Sequence, residues 1–182
     1  MKVKRVPGPG DALLKKVLNN LGNTRTKVGV IEALKYEDGT PVAYVAAIQE
    51  FGDPARSLPP RSFMRTTFSE QQNQWANLAT NGAKAIAKGN ATSLQVADLL
   101  GITAAADVRA KISSITSPPL TDTTLRLRKL KREGASIGGK VVGDVYKAVN
   151  SDNPPDLSGV STKPLVFDGV LIGAITSQTD ET

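Results

Sequence analysis

The sequence predicts an α+β fold: an antiparallel β-hairpin or small sheet packed against several helices, with a long central helix and a loop-rich insertion. Three observations predict it. Two apolar runs, 27–33 and 42–48, flank the turn Glu37-Asp38-Gly39-Thr40. The stretch from about Ser62 to Lys88 carries its apolar residues at helical spacing. Further segments with helix start and stop signals follow it, and no repeat of fixed period appears. The 182 residues suit a single domain, 1–182, with an extended arm at 1–10 and an insertion or long loop at 133–162.

The arm is basic and then rich in Pro and Gly. Asp11 reads as the cap of a short helix over Ala12 to Leu21, where Leu13, Leu14, Val17, Leu18 and Leu21 share one face. Lys27 to Ala33 reads as a strand, and Asp38-Gly39 accepts the positive φ of a tight turn. The run Val42 to Ile48 is open between strand and helix, because its Ala content suits either; as a strand, its first half would pair back on 27–33.

Three prolines make 53–60 a loop, and Pro60 sits where a helix is able to start and not continue. In the long helix, Met64, Phe68, Trp75, Leu78, Gly82 and Ile86 form an apolar stripe that ends before Gly89-Asn90. Thr92 and Gln95 have the spacing of a capping box. Gly101 predicts a break, after which Val108, Ile112 and Ile115 mark another helix stopped by Ser117-Pro118-Pro119. A short basic helix over Thr121 to Arg132 contains Arg126, Arg128, Lys129, Lys131 and Arg132. Within 133–162, Lys140 to Val149 reads as one strand or helical turn. Asp168 is placed to cap a last helix, Gly169 to Thr176.

Composition narrows the chemistry. The chain has no Cys and no His, so thiolate and imidazole chemistry, disulfides and the two commonest transition-metal ligands are excluded. Ser136 and Lys140 stand four apart in a Gly-rich loop, a pattern that a loop explains without catalysis. Gly169 to Gly173 lacks the Ser of a nucleophile elbow, and no phosphate-binding glycine loop ends in Gly-Lys-Ser/Thr. Asp152, Asp156 and Asp168 are scattered. The sequence therefore predicts no enzyme, no cofactor and no metal.

Glu50 lies between an apolar run and Phe51-Gly52, so partial burial is expected, with Arg61 and Arg65 as candidate partners. Net charge +6 suits an anionic partner, either DNA or an acidic protein surface. The basic run at 126–132 is the natural place for that contact, although it lacks the interleaved aromatics that stack single strands. No apolar stretch approaches the length of a membrane span, and the start lacks a signal-peptide core, so a cytoplasmically made, unprocessed protein is expected.

Three segments together resemble a family of neck and tail-completion proteins of long-tailed double-stranded-DNA phages. Tyr44-Val45-Ala46-Ala47-Ile48-Gln49-Glu50-Phe51-Gly52 is similar to that family's apolar run ending in Glu-Phe-Gly. Leu58-Pro59-Pro60-Arg61-Ser62-Phe63-Met64-Arg65 is similar to its Pro-Pro-Arg-x-Phe segment before a long helix. Lys163-Pro164-Leu165 with Asp168-Gly169 is similar to its Lys-Pro-Leu segment, without the Thr usual between Asp and Gly. Pro118-Pro119-Leu120-Thr121 falls between them in the expected order.

The resemblance covers 28–131 and 163–177, and not the arm or 133–162. It implies a structural virion protein, forming a homo-oligomeric ring in the neck or upper tail. Its neighbours there would be head-closure, tail-terminator or tail-tube proteins, with packaged DNA within reach. In that setting Glu50, Phe51, Gly52, Pro60, Arg61 and Phe63 would form a folded corner. Phe51 would anchor it in the core, Gly52 would permit the turn and Arg61 would neutralise Glu50. The alternative from a different class is a nonspecific basic DNA-binding protein.

Overall fold

The computed structural model describes residues 24–181, together with Lys15. The arm and most of the helix expected at 12–21 lie outside the described residues. The element order is β1 (Thr24–Val30), α1 (Val42–Phe51), a 3-10 turn (Pro54–Arg56), α2 (Met64–Ala87), α3 (Ser93–Ser114), α4 (Asp122–Arg132), α5 (Gly139–Val149), α6 (Val170–Ala174) and β2 (Ile175–Glu181). The fold is α+β, as the element pattern predicts, with a long helix against a small antiparallel sheet.

The sheet is built differently from the hairpin expectation. β1 pairs antiparallel with β2, from Thr24 opposite Glu181 to Val30 opposite Ile175. The Asp38-Gly39 turn forms, with Gly39 at φ 83° and an isolated bridge between Lys35 and Pro41. Beyond it, however, the chain enters α1 and not a second strand. Five of the ten residues Val42–Phe51 are Ala, Gln or Glu, which lose little or no rotamer freedom in a helix. The C-terminal helix expected over Gly169 to Thr176 stops at Ala174 for the same reason in reverse. Ile175-Thr176 opens a strand whose partner lies about 150 residues upstream.

α3 is unbroken through Gly101. A Cβ there would stand 2.6 Å from Thr26 Cγ2 and 3.0 Å from Ser177 Cβ, so the glycine marks where the helix meets both strands. Gly82 does the same between helices: its Cβ would lie 2.2 Å from Val96 Cγ1, which brings α2 close against α3. Thr92 and Gln95 form the predicted capping box, with Gln95 N–H donating to Thr92 Oγ1 at 3.2 Å and Thr92 N–H to Gln95 Oε1 at 3.0 Å. Thr121 caps α4 in turn.

The core joins Val42, Phe63, Ala105, Val108, Ile112, Leu165, Leu171, Ala174 and Ile175. Phe63 is the only fully buried aromatic among the described residues, and its burial contributes about 1.5–3 kcal/mol against side chains that are mostly smaller. Within 133–162 the expected short element is a three-turn helix, α5, which lies along α4 with Val145 buried. No described helix is long and apolar enough to cross a membrane.

Candidate functional site, a hydrogen-bonded corner

A helix starts with backbone N–H groups that have no partner inside it. At α2 the N-cap position is Phe63, which has no side chain able to accept them. The acceptor comes from the end of α1 instead. Glu50 receives Phe63 N–H and Met64 N–H on Oε2, both at 2.8 Å, and Arg65 N–H on Oε1 at 3.1 Å. Ser62 Oγ donates to Oε1 at 2.6 Å and Arg65 Nε at 2.9 Å. One carboxylate, 4% exposed, thus satisfies three main-chain donors and neutralises a guanidinium.

Burial pushes the Glu50 carboxyl up, but the hydrogen bonds from Ser62, Met64 and Arg65 more than offset it, and the net shift is downward. The acid is therefore held ionised. Its five donors make it an anchor, with no lone pair directed at an open site.

Gly52 turns the chain away from α1 at φ 77°, where a Cβ would meet Leu58 O and Pro60 N at 2.9 Å. Pro59-Pro60 thus passes directly over the glycine. Asp53 and Leu58 close the small loop with reciprocal 2.9 Å main-chain bonds.

Two expectations for this corner need correction. Phe51 is not in the core: it is 65% exposed, and the Arg65 guanidinium lies 4.8 Å from its ring centroid. The buried aromatic is Phe63, because α1 ends at Phe51 with that side chain turned outward. Arg61 does not neutralise Glu50 either. It is buried, and its Nε and Nη2 donate to the carbonyls of Pro118 and Pro119 at 2.8 and 3.1 Å, with Nη1 on Gln49 Oε1 at 3.3 Å. Burial lowers its pKa. Arg61 therefore staples the corner to the chain leaving α3, at the cis Ser117–Pro118 peptide.

The C-terminal motif is held by an arginine of the basic helix. Arg128 Nη1 donates to the carbonyls of Lys163 at 2.8 Å and Ser161 at 3.0 Å, and Nη2 to Pro164 O at 2.8 Å. Its guanidinium also lies 5.1 Å from the Phe167 ring centroid. Burial lowers the Arg128 pKa, and the positive charge of Arg61 adds to the effect. The clamp seats Leu165 in the core. Asp168 accepts Val170 N–H at 3.1 Å, while Gly169, at φ 80°, occupies the N-cap position of α6 itself. Lys163 is exposed and contributes through its carbonyl.

Of the other basic residues, Lys129 pairs with Asp156 at 2.9 Å and Arg132 donates to Gly159 O. Lys131 Nζ lies 5.8 Å from the Phe167 ring centroid. The run that sequence reading offered to DNA or an acidic partner thus spends Arg128, Lys129 and Arg132 on tying down 156–166. The signal for this in the sequence is only the downstream abundance of Gly, Ser and Pro, whose main-chain carbonyls are open to a guanidinium.

Between the Asp38 turn, α4 and the 164–168 segment lies a cleft of about 270 Å³, lined by Tyr36, Asp38, Gln49, Arg128, Lys131 and Phe167 among others. Burial raises the Tyr36 phenol, and Asp168 and Asp38 raise it further. Among the described residues no group of three or more acidic side chains converges to hold a metal ion. No protein-family model, no curated protein and no solved structure matches the chain.

Proposed function

We propose that this chain is a structural virion protein of a long-tailed phage, forming a ring in the neck or tail-completion region where head meets tail. One observation carries the reading. The segments that carry the resemblance, separated by up to about a hundred residues, are each tied down by hydrogen bonds and meet in one core through Phe63 and Leu165. Glu50 holds the start of Pro-Pro-Arg-x-Phe and its helix, Arg61 holds Pro118 and Pro119, and Arg128 holds Lys163-Pro164-Leu165. Motif residues spent on each other are architectural, and they fix a rigid body that works through its surface. The partners in this reading are further copies of the chain and the adjoining head-closure, tail-terminator or tail-tube proteins.

Electron microscopy of particles assembled with and without this protein tests it. DNA-filled heads separate from finished tails are expected when the protein is missing. Intact head–tail joints in its absence overturn the reading.

A further inference from the structure

Aromatic residues are scarce here, at 4% of the chain, yet two of the four phenylalanines lie on the surface. Phe51 is 65% exposed and Phe68 60%. They are joined by Arg65, whose guanidinium covers the Phe51 ring and which stands one turn before Phe68 on α2. Arg65 is held in place by Glu50 and still leaves 61% of its side chain open. Phe68 is oriented by the edge of Trp75, with ring centroids 6.0 Å apart. Aromatic and arginine side chains fixed beforehand are the usual anchors of protein interfaces, because little freedom remains to be lost on docking.

A second, unlike patch lies on α3. Leu99 and Ile102 are 52% and 62% exposed, and Ala106 and Ala110 continue their stripe at four-residue steps. The opposite side of the helix, with Gly101, Ala104, Ala105 and Val108, is buried. Asp98 borders the stripe, is exposed, and has no ion pair among the described residues.

We propose that the Phe51–Arg65–Phe68 patch of one copy docks on the Leu99–Ile102 stripe of the next, with Arg65 facing Asp98. The proposal rests on the ring reading and supplies its contact. A closed ring needs two different faces on each copy, one for each neighbour, and a two-fold dimer needs only one. Two of this chain's exposed apolar patches lie on different helices, one beside a guanidinium whose Nη1 the Glu50 corner leaves unused and the other with an acid at its border. Small residues at Ala106 and Ala110 leave room beside Ile102 for an inserted ring.

The chain has no cysteine, so introduced thiols report without background. Purified Phe68→Cys and Ile102→Cys chains are treated with a short bismaleimide, singly and mixed, both in solution and on assembled particles. All the altered positions are exposed, and Phe51→Cys serves as a second probe of the first patch. The expected result is a covalent dimer only in the mixture, and a ladder of higher species from the doubly substituted chain. Asp98→Lys is expected to lower the mixed yield severalfold. Dimers from Phe68→Cys alone, or no product from the mixture in either setting, overturn the pairing. An unchanged yield with Asp98→Lys overturns the placement of Arg65 against Asp98. The joining role stands or falls separately, on the particle experiment above.

Discussion

Arg65 holds Glu50 at two points, Nε on the carboxylate at 2.9 Å and Nη2 on the main-chain oxygen of the same residue at 2.8 Å. The pair looks symmetrical, but its two halves are not equal. Glu50 is buried and also carries the N–H groups of Phe63, Met64 and Arg65, whereas the Arg65 side chain is largely in solvent. Glu50→Ala should therefore destabilise the fold by about 3–5 kcal/mol, since it strands buried donors and an arginine. Arg65→Ala should cost about 1 kcal/mol. Denaturant unfolding of the two variants checks the ratio, and equal losses would show that ion pairing, not helix capping, dominates the corner.

The same carboxylate makes stability depend on pH. Its pKa is lowered in the folded chain from the ordinary 4.5, so the folded state binds its proton less readily than the unfolded state does. The contribution is complete above the unfolded value and is lost as pH falls through the lower, folded one. Exposed Asp38 and half-buried Asp180 are shifted the same way, by the Thr40 main chain and by Lys27 respectively. Urea midpoints measured from neutral to acid pH should fall for the parent chain and fall less steeply for Glu50→Gln. Parallel curves would remove Glu50 from the acid response.

Gly101 is expected to gain no stability from a side chain, unlike a glycine in an open helix. Alanine gains about 1 kcal/mol of helix propensity over glycine. Here its methyl would stand 2.6 Å from Thr26 Cγ2 and 3.0 Å from Ser177 Cβ, and overpacking of that kind costs about 1–3 kcal/mol. Gly101→Ala should be neutral to destabilising, and Gly101→Val clearly destabilising. Thr26→Ser removes the nearer methyl and should recover part of the loss, which a double-mutant cycle of unfolding free energies measures.

Arg128→Lys keeps the charge and loses the fork that reaches the Ser161, Lys163 and Pro164 carbonyls together. The segment tied to α4 should open locally more often, about tenfold for each 1.4 kcal/mol lost. Limited proteolysis should then cut within 150–162 faster, with β1 and α3 still intact. A cleavage pattern identical to the parent's would show that Lys129 and Arg132 hold the segment without it.

Legibility followed locality. The limits of α2, the Thr92–Gln95 capping box and the Pro118-Pro119 stop depend on neighbours within a few residues, and sequence reading placed them closely. The strand partner was not legible. Thr24–Val30 had a turn and an apolar run immediately downstream, and nothing local indicates a mate at Ile175–Glu181. Gly101 carried the signal of a break, because a missing side chain looks the same whether the helix ends or another element presses on it.

The site was half legible. Glu50 stood out as a buried acid, and its two candidate arginines were both at hand. Which one would pair turned on Pro118 and Pro119 claiming Arg61, a contact 57 and 58 residues away. Phe51 and Phe63 exchanged their expected places because the end of α1, undecided between strand and helix, sets which ring faces inward.

Since Thr26 and Thr179 touch across the sheet, synthesis must pass the second of them before the sheet-facing side of α3 has its cover complete. Until then Ala105, Val108 and Ile112 are a sticky surface waiting for a lid. A chain cut short before residue 175 leaves that surface without its cover and is expected to aggregate.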